Sequence, residues 1–267
     1  MQNQLTISVV QMLQQEGHPE VNHNKLWSLL SDVSQKTDLI VLPEMWNTGF
    51  ITNPSALYNN AYEQGLQVMR QVAQRYNAAV YGSLIRHSNN AYTNTGVFVY
   101  PFTKTTEVTY DKHHLFVPGG EARLFTPGKR RVTAEYKGWK FRVCVCYDLR
   151  FPVWLRYTPN MPYDVLLCCA NWPEVRSYEW KTLLAATAIH NQAYVVGCNR
   201  VGNAPKELYY AGDSAIYNPI GQAVAQVTPH QEGVVHYTIE REKLEKYRAK
   251  FNHLDNQDPF VLLCHKE

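Results

Sequence analysis

The amino-acid sequence predicts an α/β fold in which mixed sheets are covered by helices. Three observations carry that expectation. Short β-like runs alternate with helical patterns. The opening round, TISVVQM, then a helical stretch from Asn22 to Gln35, then DLIVLP, reads as a βαβ unit. The alternation resumes later, where FRVCVCYD and YDVLLCCAN flank a short segment around Pro152 to Tyr157.

Each element has its own signal. In the first helical stretch Leu26, Leu29, Leu30 and Val33 fall on one face, and in a second, near Tyr62 to Tyr76, Leu66, Met69, Val72 and Ala73 form one stripe. That second helix leads into AAVYGSLI, and TGVFVYP continues the sheet. A helix from about Tyr178 to Gln192 runs into AYVVGCN. Three runs, YYAGDSAIY, QAVAQVT and GVVHYTIE, read as closing strands, with NPIG from Asn218 to Gly221 as the turn between the first two. The two βαβ rounds give the halves a loose similarity, but no repeat of fixed period is present.

With 267 residues and 45% hydrophobic content the chain can bury one large core, and no low-complexity or Pro/Gly/Ser-rich linker divides it, so residues 1–267 are expected to form one domain. The 26 basic and 23 acidic residues leave a net charge of +3, spread along the chain. No concentrated field exists to attract nucleic acid or a membrane surface, and the expected partner is a small molecule or a second copy of the chain. The opening MQNQLTISVVQML lacks the basic and apolar regions of a signal peptide, and no apolar run approaches about 20 residues, so a cytoplasmic protein is expected. Cys144, Cys146, Cys168, Cys169, Cys198 and Cys264 lie mostly inside apolar runs, which predicts buried, reduced thiols rather than a disulfide framework. There is no CxxC pair, HExxH, GxGxxG or GxxxxGK[ST], so neither a metal nor a nucleotide cofactor is expected.

Several residues could do chemistry. Cys146 ends an apolar strand just before YDLRFP, where a turn and a helix start are expected, so its sulfur can be presented at an elbow whose backbone N–H groups lower a thiol pKa and hold an oxyanion. Cys144 lies two residues earlier, which by strand period puts both thiols on one side, and either can be a plain core residue. Glu44 ends DLIVLPE, the strand tip where ligands collect in α/β folds, or it is an ordinary loop acid. Lys112 follows EVTYD and Glu121 follows two glycines in PGGEARLF; taken singly, a surface lysine and a turn acid describe them equally well. His113 and His114 are candidates to pair with Cys146 in a protease-like dyad. The loop Trp172 to Arg176 follows YDVLLCCAN just beyond a strand end.

Together, and in chain order, VLPEMW, YDKHHLF and VCYDLRFP resemble the carbon-nitrogen hydrolase (nitrilase) superfamily, and PEMWNTGF, GGEARLFTPG, CCANWPEVRSYEWKTLLAATAIHNQAYVVGCNRVG and YYAGDSAIYNPIG are similar to its omega-amidase-like branch. The resemblance runs from the first strand to about Glu240. It implies a four-layer αββα sandwich that dimerises, and a triad of Glu44 as base, Lys112 as oxyanion cation and Cys146 as nucleophile, with Glu121 near the substrate amide. It implies further that the backbone N–H of Tyr147 shares the oxyanion with Lys112, and that the strand ends open into one pocket in which Trp172 and Arg176 meet substrate. There Arg176 would receive a carboxylate in a bidentate grip, unless it caps a surface loop or pairs with Glu174 or Glu179. The implied reaction is hydrolysis of a small amide, 2-oxoglutaramate or 2-oxosuccinamate, through a thioester, with no cofactor. A nitrile or an N-carbamoyl amine is the alternative substrate, and a catalytically silent subunit of the same fold is the alternative role.

Overall fold

A computed structural model of the chain describes residues 2–31, 33, 36–51, 60–101, 107–204 and 208–262. Two six-stranded sheets form its centre. The first contains β1 (Gln4–Gln11), β2 (Leu39–Val41), β3 (Ala79–Ser88), β4 (Ala91–Val99), β5 (Glu107–Asp111) and, from far along the chain, β14 (Gly233–Glu240), in the order β14-β1-β2-β3-β4-β5. The second contains β6 (Thr133–Tyr136), β7 (Trp139–Val145), β8 (Val165–Ala170), β9 (Tyr194–Asn199), β12 (Ala215–Tyr217) and β13 (Ala223–Gln226), in the order β13-β12-β9-β8-β7-β6. In each sheet three strands run parallel, β1-β2-β3 and β7-β8-β9, and the outer strands pair antiparallel. A short ribbon of β10 (Val201–Ala204) and β11 (Leu208–Ala211) lies beside them.

Period-2 alternation builds the layers. On β1 and β2, Leu5, Ile7, Val9, Leu39 and Val41 join the core shared with the second sheet, while Val10, Ile40 and Leu42 pack under helices α1 (Pro19–Ser31) and α2 (Ala61–Tyr76). The expected stripe Leu66, Met69, Val72 and Ala73 of α2 is buried there. Residues 32, 34 and 35, and with them the expected end of the first helix at Gln35, lie outside the described residues. Polar threads tie the sheets together across this core: Tyr81 Oη donates to the carbonyl of Cys144 (2.8 Å), and Cys198 Sγ lies 3.2 Å from the carbonyl of Val10. On the outer side of the second sheet Trp180, Leu184 and Ala188 of α4 (Ser177–Asn191) are buried. A Cβ at Gly197 of β9 would come within 2.4 Å of Leu184, so glycine sets the closeness of that packing. The result is a four-layer αββα sandwich, as the resemblance implied.

Three elements differ from expectation. YYAGDSAIY is two strands rather than one: Gly212 (φ 81) and Asp213 (φ 55) turn the chain, so β11 stays in the ribbon while β12 joins the second sheet. A Cβ at Gly212 would lie 2.1 Å from the buried Gln11 side chain, so any other residue would have to displace that side chain as well as adopt a positive φ. Strand β6 was not foreseen, although Lys137 and Gly138, both at positive φ between alternating runs, are a two-residue hairpin signal. Helix α5 (Arg241–Lys250) escapes an apolar-period search because Leu244 is its one buried residue among those described; charge anchors it, with Arg248 bonding Asp164 Oδ1 (3.2 Å) and the carbonyls of Tyr163 and Gln192. Among the described residues no helix is long and apolar enough to cross a membrane.

Candidate active site

The carboxyl ends of the parallel strands β2, β7 and β8 converge, and the first two end in a tight turn. After β2 the chain runs through Pro43 to Glu44 and turns at Met45 (φ 44), where Met45 N–H donates to Ser83 Oγ (2.8 Å). After β7 the strand stops at Val145, and Cys146 takes φ 48, a left-handed conformation that costs a residue with a Cβ about 1 kcal/mol or more. This corrects the expectation that Cys144 and Cys146 share a side by strand period: the period ends before Cys146. Cys144 stays in the strand, paired in register with Cys168 of β8.

What holds the elbow is Asp148, fully buried in the 3₁₀ turn Cys146–Arg150. It accepts bonds from Val145 N–H (3.1 Å), Tyr110 Oη (2.7 Å) and His114 N–H (2.9 Å), and lies 2.9 Å from His114 Nδ1. His114 also stacks on Phe151 (3.6 Å between centroids), while His113 stacks on Trp154 and its Nδ1–H donates to the carbonyl of Gly128 (2.6 Å). The polar contacts of both histidines thus go to Gly128 and Asp148 and, among the described residues, neither bonds Cys146, against the protease-like dyad. A helix start does follow, as α3 (Pro152–Leu155).

Glu44, Lys112 and Glu121 come together with no exposed surface. Lys112 continues the ladder past β5, its N–H donating to Asn94 O (2.9 Å), which aims its side chain inward. Its Nζ donates to Glu44 Oε1 (2.9 Å) and to Glu121 Oε1 and Oε2 (3.1 and 2.8 Å). Glu121 reaches this point because Gly120 (φ 80) turns the chain and Phe116 N–H donates to its Oε2 (2.6 Å). Burial by itself would pull the Lys112 ammonium down, but the charges of Glu121 and Glu44 overcome it and hold the group well above the usual lysine value. The Cys146 thiol, 8% exposed, is pushed up by burial and by Glu44, with Lys112 opposing. The expected lowering by turn N–H groups is therefore reversed, and the resting group is a thiol that needs a base.

Two asparagines were missed. Asn94 of β4 donates from one Nδ2 to both carboxylates, Glu44 Oε1 (2.7 Å) and Glu121 Oε1 (3.0 Å). Asn171, just past β8, donates its N–H to Glu44 Oε2 (2.8 Å) and its Nδ2 to the Glu44 carbonyl (3.0 Å), while its own carbonyl lies 3.9 Å from Cys146 Sγ. Asparagine inside or at the end of an apolar strand, as in TNTGVFV and LLCCAN, is a signal that was available, because strands are depleted in it.

Cys146 opens on a narrow cavity of about 20 Å³ lined also by Tyr147, Asn171, Trp172 and Arg176, with Phe116 and Arg150 among the other walls. The residues expected to meet substrate therefore do share one space with Cys146. Trp172 is held by Asn199, whose Oδ1 accepts its N–H (2.8 Å), and its Nε1–H donates to the carbonyl of Arg176 (2.7 Å). The guanidinium of Arg176 lies over the Phe116 ring at 5.4 Å. Glu174 and Glu179 pair instead with His230 (3.5 Å) and Arg150 (3.8 Å), and among the described residues no carboxylate lies within ion-pair distance of Arg176. Arg150, over Trp172 at 4.8 Å, is a second cation on this wall that the sequence reading left out. Among the described residues no group of three or more His, Cys, Asp or Glu could hold a metal ion. Such a site can take a proton from a thiol and hold an oxyanion beside it.

Comparison with known proteins agrees with this chemistry. Residues 6–249 match the family model described as carbon-nitrogen hydrolase. The chain is 39% identical over 239 residues to the omega-amidase YafV of Yersinia enterocolitica, covering 89% of this chain and 91% of that one. It is 31% identical over 255 residues to the 2-oxoglutaramate amidase of Bacillus subtilis, covering 94% and 96%. Among solved structures, a CN-hydrolase superfamily protein of Xanthomonas campestris with an arsenic adduct in its active site superposes with a TM-score of 0.88 at 35% identity, covering 98% of this chain and all of the other. By fold and by sequence, this chain belongs to the carbon-nitrogen hydrolase family.

Proposed function

We propose that this protein is an omega-amidase, hydrolysing the terminal amide of a short acid such as 2-oxoglutaramate or 2-oxosuccinamate to the dicarboxylate and ammonia. The observation that carries the reading is the buried set of Glu44, Lys112 and Glu121, hydrogen-bonded at 2.8 to 3.1 Å and electrostatically coupled to a thiol at a strained elbow. An amide carbon is a weak electrophile with a poor leaving group, so a two-stage route through a thioester lowers each barrier. Glu44 takes the Cys146 proton as sulfur adds to the carbonyl carbon. The oxyanion is held by Lys112 and the backbone N–H of Tyr147, each contact worth roughly 3 to 4 kcal/mol. Collapse of the tetrahedral species breaks the C–N bond, with the proton passing from Glu44 to the departing ammonia. Glu44 then deprotonates water for attack on the thioester, and the thiol returns. Glu121 keeps the Lys112 ammonium in place and charged.

The relatives named omega-amidase and 2-oxoglutaramate amidase support this substrate class, and the guanidinium of Arg176 beside the cavity, with no carboxylate in reach among the described residues, supports a distal carboxylate. The proposal extends to a single-domain, cytoplasmic homodimer, which sedimentation at micromolar concentration tests; a monomer would remove that part. The central test is an ammonia-release screen of short amides with and without a distal carboxylate. Preference for the carboxylate-bearing amides is the expected result. Carbon dioxide release from an N-carbamoyl amine would reassign the substrate, and no single fast-alkylated cysteine would mean a catalytically silent copy.

A further inference from the structure

Asn171 makes more contacts at the candidate site than a wall residue needs, and one of its polar atoms is left over. Its backbone N–H holds Glu44 Oε2 and its Nδ2 holds the Glu44 carbonyl, so the side-chain amide cannot be turned round without setting two oxygens against each other. The orientation leaves Oδ1 as an acceptor that is buried and, among the described residues, without a hydrogen-bond partner. Asn171 is 6% exposed and lines the cavity onto which Cys146 opens, with its carbonyl 3.9 Å from Sγ. A buried acceptor without a donor costs about 1 to 3 kcal/mol, and Asn94 Oδ1 beside the carboxylates is in the same state, but of the two residues only Asn171 lines the cavity, where a ligand can supply the partner.

The atoms around the reacting carbon are divided by sign. Lys112 Nζ and the Tyr147 N–H can only donate, which suits the carbonyl oxygen. The leaving nitrogen of a primary amide carries two N–H donors and requires acceptors. Glu44 is one, and Asn171 Oδ1 stands on the residue that joins Glu44 to Cys146. We propose that Asn171 is a specificity-determining residue whose Oδ1 accepts a hydrogen bond from the N–H of the scissile amide, so that the site favours primary amides over esters, which have no hydrogen to give there. This rests on the amidase reading above and adds to it a reason for choosing the amide. A site built to bond an N–H rejects an analogue lacking it, because the acceptor is then left unpaired.

The test compares a primary amide with the methyl ester of the same acyl group, in the wild-type protein and in Asn171→Ala and Asn171→Asp. Asn171→Ala is expected to lower kcat/KM for the amide about 10- to 50-fold while changing the ester less than about threefold. Asn171→Asp keeps an acceptor and is expected to hold the amide-to-ester ratio within about threefold of wild type, whatever happens to both rates. The same comparison made as equilibrium binding to the Cys146→Ala protein requires no turnover and serves if the ester is a poor substrate. Parallel losses on amide and ester, with the folded state intact by circular dichroism, would make Asn171 a support for Glu44 only and overturn the proposal, as would no loss on either. If the wild-type protein turns over no amide, the amidase reading fails first and takes this inference with it.

Discussion

The two sheets contribute unlike halves to the candidate site. From the first come Glu44, Asn94, Lys112 and Glu121, all without exposed surface and each hydrogen-bonded to at least one of the others. From the second come Cys146, Asn171, Trp172, Arg150 and Arg176, which line the cavity and include an unpaired acceptor and a guanidinium with no carboxylate in reach among the described residues. The difference teaches how the work is divided. Charge is kept in the half that is dry, where the ammonium and the two carboxylates bond one another and each contact is worth more. A guanidinium with no carboxylate in reach among the described residues, that of Arg176, is kept in the half that lines the cavity.

The sharpest break between the halves comes from the proposed nucleophile. Cys146→Ala is expected to reduce ammonia release by on the order of 10⁴-fold or more with little change in thermal stability, whereas Cys144→Ala keeps activity and costs only packing. Measurable turnover by Cys146→Ala would transfer the chemistry elsewhere. Lys112→Gln should act on the other half in two ways. On the proposed mechanism it removes an oxyanion contact, lowering kcat about 10²- to 10³-fold with little change in KM, and it strands two buried carboxylates, lowering stability by about 3 to 5 kcal/mol. An effect on KM alone would make Lys112 a binding residue and erase the division.

Next in size is Arg176→Met, expected to raise KM about 10-fold or more for an amide with a distal carboxylate and to leave a neutral amide of equal length unchanged. Equal effects on both would take the carboxylate away from Arg176 and direct attention to Arg150. The smallest effect separates the halves by pH. The folded values of both Cys146 and Lys112 are raised, so each stabilises fully below its unfolded value and is lost as pH rises toward its folded one. For the thiol that window opens above about 8.5, and for the lysine only above about 10.4. Chemical denaturation between pH 8 and 10 should therefore show stability falling, less steeply in Cys146→Ala by up to about 1.4 kcal/mol per pH unit, with the gap between wild type and Lys112→Gln unchanged over that range. A gap that closes below pH 10 would mean that Lys112 is not held charged by its two carboxylates.

Local patterns in the chain are enough to determine the α/β class, the buried stripe of α2, and Glu44 and Cys146 at the ends of apolar strands, because strand and helix periods are imposed by backbone geometry and the water-averse side chains must follow them. A family resemblance adds Lys112 and Glu121, which no local pattern distinguishes from surface charges. Tertiary structure alone decides the rest. The last strand, β14, returns to pair with the first, and Asn171 meets Glu44 across 127 residues of sequence; neither contact has a local signature. The same holds for the thiol: a turn read locally promises a lowered pKa, but burial and the Glu44 carboxylate raise it, and both arise from groups that only the folded chain brings within reach.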